Sequence, residues 1–476
     1  MSGAAAEAGY LAPAVREGLI QAFYLTSSVL FILGLRGLSS PTTARRGMHQ
    51  ASIAMLLAVV GTLLHHDIVR FDFIVAGLIA GSLVGVIIGL PLGINIPMTA
   101  MPQFVAISHM FGAIAATIVG LTEYLALDTR PSGPVMVALS FEVILGALTV
   151  TGSFMAFGKL QEIITGKPIT YPGQNFINLS LFALTVGLLI YQLIVPGQPH
   201  LFLLMLGIAA VLGILMVLPI GGADMPVVIS LLNAYAGLAA SAMGFALGNN
   251  LLIIVGALDG ASGFLLSILM CRAMNRSFAN VIFGAFGGGG AAAKKSAEGL
   301  TMRQVSVEDA AIQLAYAKQV IVVPGYGLAV AQAQHLIREV AELIEKRGGE
   351  VKYAIHPVAG RMPGHLNVLM AEANIAYDKL YDMEDINGEF ARTDVCLVIG
   401  ANDVVNPAAR SDPSSPIYGM PILNADQARS VIVLKRGAGT GFAGIENELF
   451  FDSKTAMLFG DAKSSLQKLA AELKTV

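Results

Sequence analysis

Residues 320–330 read VIVVPGYGLAV. A β-branched run closed by Pro-Gly reads as a short buried strand, and two glycines one residue apart follow it. The amphipathic stretch LAVAQAQHLIREVAELIEKRG, 328–348, comes next and reads as a helix ending at Gly348. Strand, glycine turn and helix in that order open a dinucleotide-binding α/β unit. The first glycine permits the tight turn and the second a close backbone approach to a pyrophosphate, with the helix N-terminus adding positive potential. Val330 stands where the pattern has Gly or Ala, so placement between strand and helix carries the reading.

The residues around this unit repeat its alternation. VSVEDAAIQLAYAK, 305–318, reads as a helix with Ser306 as N-cap and Asp309 in its first turn. EVKYAIHP, DVCLVIGAND, PILNA, SVIVLKRG and TAMLFGD supply further strands, HLNVLMAEAN a helix, and SSLQKLAAELK a closing helix. Alternating strands and helices predict a Rossmann-like, doubly wound parallel sheet over 301–476. Before it, GAFGGGGAAAKKSAEG within 277–300 has the composition of a flexible linker.

The preceding residues are of a different kind. The chain has 476 residues, 55% hydrophobic and 13% charged, with a mean hydropathy of +0.70. Soluble domains carry about 25% charged residues, so part of this chain belongs in lipid. The net charge of −3 gives no sign of a nucleic-acid partner. Cys271 and Cys396 lack metal-ligand spacing and read as reduced thiols. Glu7 stands before any basic n-region and apolar core, which argues against a cleaved leader. A membrane span needs about 20 apolar residues, and 1–276 offers about nine such stretches. They lie near 18–36, 48–65, 73–92, 103–122, 135–158, 176–195, 200–219, 226–246 and 250–271. An odd count puts the termini on opposite sides. Arg36, Arg45, Arg46, Lys159, Lys167, Arg272, Arg276, Lys294 and Lys295 then share one side, against Arg16, Arg70 and Arg130 on the other. The positive-inside rule therefore predicts an outside N-terminus and a cytoplasmic C-terminal domain.

Ionisable groups inside spans are costly, so His109, Glu142 and Asp259 read as functional. A histidine titrates near neutrality, which suits a proton relay. Ser153, about three turns beyond Glu142 on the same helix face, and Asn233 read by themselves as interhelical hydrogen-bonding groups rather than functional ones. No repeated charges of a voltage sensor and no TVGYG-like filter occur.

In the C-terminal part, an NAD site needs an acid after the second strand to hold the ribose 2′-hydroxyl, and this strand ends Ile355-His356-Pro357. Lys435-Arg436 at a later strand end suit a 2′-phosphate, which favours NADP over NAD. The turn 356–365 carries Arg361 and two glycines able to present amides to phosphate. Asn402-Asp403 fall at the sheet's carboxyl edge, where α/β folds bind ligands, though Asn-Asp also suits a plain turn.

GYGLAVAQAQ, IHPVAGRMPGHLNVLMAEA, VIGANDVVNPAA, KRGAGTGFAG and LFGDAK resemble the NADP(H)-binding domain of proton-translocating nicotinamide nucleotide transhydrogenases. IGGADMPVVISLLNAYAG, VTGSFMAFGKL and CRAMNRSF resemble the membrane domain of the same family, so the likeness covers essentially the whole chain as a bacterial β subunit. The resemblance implies hydride exchange between NADH and NADP⁺, driven by inward proton flow. It implies NADP(H) on this chain and NAD(H) on a separate α subunit, itself one chain or two. It further implies a dimer of αβ units in the bacterial cytoplasmic membrane.

Residue by residue, the resemblance implies a proton path through His109 and Asn233, with Asp224, Ser153 and Glu142 near it. It implies NADP(H) contacts from Gly325, Tyr326 and Gly327; from Val358, Ala359, Gly360, Arg361, Met362 and Pro363; and from Gly400, Ala401, Asn402, Asp403 and Val404. Gly419 and Met420 belong to the same implied set, as do Lys435, Arg436, Gly437, Ala438, Gly439, Thr440, Gly441 and Phe442, then Asp461 and Ala462. Asp403 is implied near the nicotinamide end, coupling proton binding to nucleotide affinity. Two positions depart from the family: Phe442 stands where Tyr is frequent, and Gly437 where Ser is frequent. The alternative of another class is an ion transporter or channel with a nucleotide-sensing Rossmann domain. A plain membrane anchor leaves the ionisable residues within the spans without a role.

Overall fold

The computed structural model describes residues 13–65, 71–89, 96–126, 131–165, 168–221, 224–274, 277–278, 281, 301–360, 362, 364–413, 415, 417–437, 439, 441 and 445–476. Nearly all of the expected linker lies outside them, as do Arg70, Arg130, Lys167, Arg276, Lys294 and Lys295 of the charge argument. Arg361, Pro363, Ala438, Thr440 and Phe442 of the expected site also lie outside.

Helices α1 (Pro13–Gly37), α2 (Pro41–Leu63), α3 (Phe71–Val84), α4 (Met101–Ala126) and α5 (Gly133–Leu160) come first, followed by α6 (Gln174–Ile194), α7 (Pro199–Val217), α8 (Met225–Ala246) and α9 (Asn250–Ala273). Among the described residues seven of these are long and apolar enough to cross a membrane, so this is a membrane protein. The two others fall on the expected spans 48–65 and 73–92. The polar start PTTARRG lowers the hydropathy of α2, and α3 has only 14 residues before a π-helical turn at Gly85–Gly89.

Small residues set the packing of the bundle. A Cβ on Gly237 of α8 would lie 2.3 Å from the Gly260 nitrogen of α9, and one on Gly256 2.4 Å from the Ser241 nitrogen. Backbones this close gain dispersion contacts that lipid cannot supply. Helices α5 and α8 form the centre, each 61% buried over its apolar window against 17–33% for the other spans.

The C-terminal part holds a six-stranded parallel sheet of order β3-β2-β1-β4-β5-β6. The strands are β1 (Gln319–Pro324), β2 (Glu350–Ile355), β3 (Leu380–Asp382), β4 (Val395–Ile399), β5 (Ser430–Lys435) and β6 (Thr455–Phe459). Alternate residues pack on opposite faces: Val320, Val322, Tyr353 and Leu397 in one core, Ile321, Val323, Cys396 and Val398 in the other. Helices α10 (Val307–Ala315), α11 (Tyr326–Val330), α12 (Gln334–Lys346), α13 (His365–Glu372), α14 (Met383–Ile386), α15 (Ala408–Ser411) and α16 (Ala462–Thr475) complete it. The Ser306 hydroxyl caps α10 by accepting from the Asp309 amide at 3.1 Å. Gly348, at φ 90°, ends α12, with the Gly349 amide returning to the Ile344 carbonyl at 3.2 Å.

Two expectations are corrected, and one strand goes unannounced in the sequence. The helix expected over 328–348 is broken at 331–333, where Gln332 takes φ 49°, into α11 and α12. PILNA is a loop whose first two carbonyls go to side chains, Pro421 O to His356 Nε2 at 2.8 Å and Ile422 O to Asn387 Nδ2 at 3.0 Å, and whose last three accept from nearby backbone amides. Its apolar residues are buried, which is why it resembles a strand. The third strand, β3, is a three-residue edge strand too short to announce itself by pattern.

The order reverses between β1 and β4, and there two glycine turns interlock. Gly325 N donates to Ile399 O at 2.9 Å and Gly327 N to Gly400 O at 3.1 Å. A Cβ on Gly327 would sit 2.7 Å from Gly400 Cα, and Gly400 itself holds φ +66°. Gly327→Ala is therefore expected to cost about 1–3 kcal/mol through backbone displacement. Gly437→Ala, where a Cβ meets nothing within 4 Å, is the control. Thermal melts of the purified proteins check this; equal melting temperatures would show that the turns do not interlock.

Candidate functional site

The C-terminal edge of the sheet gathers loops distant in sequence. The loop after β1 is held by Tyr326 N, which donates to Ala359 O at 3.1 Å, so the β1 and β2 loops are joined. The amides of Gly325, Tyr326 and Gly327 are thus all taken by protein carbonyls. Close approach at these glycines is between loops.

His356 replaces the acid at the end of β2. It is buried, its Nδ1 accepts from Val358 N at 3.2 Å, and its Nε2 donates to Pro421 O at 2.8 Å. Burial pushes its pKa down to about 4, against the opposing pull of the Pro421 carbonyl. The ring is neutral at physiological pH and shapes the turn 357–360 while tying it to Pro421, next to Gly419-Met420. Gly360 packs on His365, where a Cβ would lie 2.6 Å from His365 Cβ, and the His365 ring meets the Tyr326 ring edge-on at 6.0 Å. Met362 accepts from the His365 amide at 3.2 Å.

After β4, Gly400 and Ala401 lead into Asn402 and the turn Asp403–Val405. Asn447 Nδ2 donates to both Asn402 O, 2.9 Å, and Asn402 Oδ1, 3.1 Å, fixing that side chain. Sequence reading missed Asn447: nothing in IENEL singles it out, because its role depends on a loop 45 residues away. Asn402 Nδ2 is buried and lacks a hydrogen-bond partner among the described residues. Gly441 lies against it: a Cβ there would come within 2.1 Å of Asn402 Nδ2 and 2.5 Å of Asp403 Oδ1. The loop after β5 therefore covers Asn402-Asp403 through a glycine.

Lys435 ends β5 with its Nζ bonded to Gly439 O and 4.6 Å from the centre of the Phe450 ring. Burial holds its pKa below the usual lysine value, partly offset by the charge of Asp403. Arg436 is exposed, and Gly437 and Gly439 have open space where a side chain would be. Lys435 O accepts from Gly460 N at 3.0 Å, which brings the β6 end alongside. Asp461 there caps α16, its Oδ1 accepting from Lys463 N at 3.0 Å and Ser464 N at 3.2 Å, with Ala462 buried behind it. Gly419 takes φ 77° and donates to Ala409 O at 2.7 Å, placing Met420 in a small apolar cluster with Ile417 and Ile422. A buried amide donor, a cation pair and glycines facing open space fit a nucleotide bearing several phosphates.

The membrane bundle brings together only part of its expected set. Asn233 on α8 donates from Nδ2 to Asp259 Oδ1 on α9 at 3.1 Å, and Asp259 acts electrostatically on His109 of α4. His109 Nδ1 is buried without a hydrogen-bond partner among the described residues. A Cβ on Gly263 would lie 2.9 Å from Asn233 Nδ2, so the glycine makes room for the amide. Glu142 and Ser153, both fully buried on α5, make no hydrogen bond to this trio. The Glu142 carboxyl rests on the backbone of Gly120, where a Cβ would come within 2.8 Å of Glu142 Cδ. Asp224 stands at the N-cap of α8, about two and a half turns before Asn233.

The family model for the NAD(P) transhydrogenase beta subunit matches residues 20–472. Two chains named NAD(P) transhydrogenase subunit beta from Rhodospirillum rubrum, one of them from a specified strain, are each 49% identical over 462 residues, covering 95% of this chain and 98% of theirs. Nothing in these likenesses favours a transporter with a sensing domain. A membrane bundle, a sheet with loops converging at its switch point and a match along almost the whole length agree: the chain belongs to the NAD(P) transhydrogenase beta subunit family.

Proposed function

We propose that this chain is the NADP(H)-binding and proton-conducting β subunit of a proton-translocating transhydrogenase, working with an α subunit that holds NAD(H). The observation that carries the NADP(H) assignment is the charge at the sheet's carboxyl edge. A neutral, doubly bonded His356 stands where an NAD site needs an acid, and Lys435-Arg436 stand at the end of β5. When bound, the nicotinamides supply the chemistry, one giving and one accepting a hydride at the ring carbon.

The protein's task is to control when the rings meet. Lys435 and Arg436 supply charge for the 2′-phosphate, and Asn402 offers its buried Nδ2. Asp403, between Lys435 and the covering loop, senses charge at the nicotinamide end. In the bundle, His109 accepts a proton from one side and releases it to the other, while Asn233 orients Asp259. The charge asymmetry supports an outside N-terminus, a cytoplasmic sheet domain and inward proton flow in a bacterial membrane. The domain limits 1–276, 277–300 and 301–476 and a dimer of αβ units are parts of the same proposal.

Co-expression with the α subunit, followed by hydride-transfer assays in inverted vesicles, tests it. NADPH formation from NADH is expected to accelerate when a proton gradient is imposed and to slow when an uncoupler collapses it. A rate indifferent to the gradient would overturn the proton-coupled reading.

A further inference from the structure

We propose that Gln103 is a positioning residue that links helix α4, which carries His109, to the wall of the nucleotide edge. This inference rests on the functional reading above. Gln103 lies in the first turn of α4, and its Nε2 donates to Leu160 O at the end of α5, 3.1 Å away. The side chain is only 9% exposed, and its Oε1 is buried with no hydrogen-bond partner among the described residues. A buried amide left half-satisfied is unfavourable, so an arrangement that satisfies it is favoured.

A cleft of about 420 Å³ opens at this point. Gln103, Leu160 and Glu162 form one wall, and Tyr326, Gly327 and Arg436 form the other. The second wall is the switch-point turn together with the exposed cation after β5. Across the cleft from the Gln103 side chain stand a phenol hydroxyl and a guanidinium, donors that the buried Oε1 meets only when α4 moves. That is the chemistry the acceptor requires.

The first wall is rigid for a separate reason. Lys159, next to Leu160, is buried, and its ammonium donates to Val217 O at 3.2 Å, Ile220 O at 2.7 Å and Leu218 O. Its three N–H donors are matched by three carbonyls at the C-terminus of α7, where the helix dipole favours a cation. Glu162 then reverses the chain at φ 62°. The Leu160 carbonyl is thus a fixed reference against which α4 slides or turns. His109 follows Gln103 by about 9 Å along the same helix. A displacement of α4 that accompanies a change at His109 is delivered at Gln103, and from there to the wall holding Tyr326 and Arg436.

The test uses the purified αβ complex with Gln103→Met, which keeps the length and removes the amide. NADPH affinity, read by nucleotide fluorescence, is expected to weaken by about fivefold to tenfold. NADH affinity and the melting temperature without nucleotide are expected to stay at wild-type values. Gln103→Asn retains an amide but falls one methylene short of spanning Leu160 and the cleft, so it should assemble and show the same selective loss. Unchanged NADPH affinity in both variants, with or without a lower melting temperature, overturns the inference and leaves Gln103 as helix packing. A wild-type complex that binds no NADPH overturns the functional reading, and this inference with it.

Discussion

Replacing His109 by phenylalanine is expected to lower proton uptake and nucleotide turnover together, by about a hundredfold, while leaving NADP(H) binding intact. The ring volume is kept, so α4 should still pack on α5. What disappears is the imidazole on which Asp259 acts electrostatically, and the Asp259 carboxylate already takes the Asn233 amide at 3.1 Å. Phenylalanine can neither accept nor release a proton, and Asn233 does not titrate, so the trio loses its exchangeable site. Both rates fall together because obligate coupling allows no hydride turnover without proton movement. Dye-reported proton uptake and NADPH formation measured in the same vesicles decide the matter. If the mutant pumps at the wild-type rate and ratio, His109 is a packing residue and the path runs elsewhere.

The second large effect is expected at Lys435. A charge-assisted contact contributes about 1.5–3 kcal/mol, so Lys435→Ala should weaken NADP(H) binding by about tenfold to a hundredfold. Two structural losses add to the lost charge. The bond to Gly439 O disappears, and with it a restraint on the loop whose Gly441 covers Asn402-Asp403; the cation over Phe450 is also removed. Arg436→Ala should have a smaller effect, because that side chain is exposed and restrains no loop through a described hydrogen bond. Competition against NADPH by 2′-AMP and by 5′-AMP, nucleotides with and without the 2′-phosphate, separates the cases. Equal loss for both nucleotides would mean that Lys435 serves the loop alone and reads no 2′-phosphate.

Much of this was legible because it is local. A span announces itself by about 20 consecutive apolar residues, a buried strand by its β-branched run, a helix start by a residue such as Ser306. Each signal depends on neighbours within a turn or two, so the longer helices, apart from the break at 331–333, five of the six strands and the first glycine turn follow from the residues alone. Ionisable residues in apolar stretches stand out for the same reason, which is how His109, Glu142 and Asp259 were singled out. His356 in place of an acid and the Lys435-Arg436 pair were also readable in one dimension.

What the sequence could not decide was which of these groups meet. Asn233 and Asp259 lie 26 residues apart, and Asn447 and Asn402 45 apart, and no periodicity encodes either pair. The amides of Gly325 and Gly327 suggest phosphate contacts in isolation; only the fold shows them taken by Ile399 and Gly400 across the switch point. PILNA is apolar because it is buried, yet its first two carbonyls go to His356 and Asn387, so burial and strand pairing come apart there. Local composition fixes what a segment is made for, since propensity and burial act over a few residues. Contact between segments is set by the sum of packing over the whole domain, and only the tertiary structure resolves it.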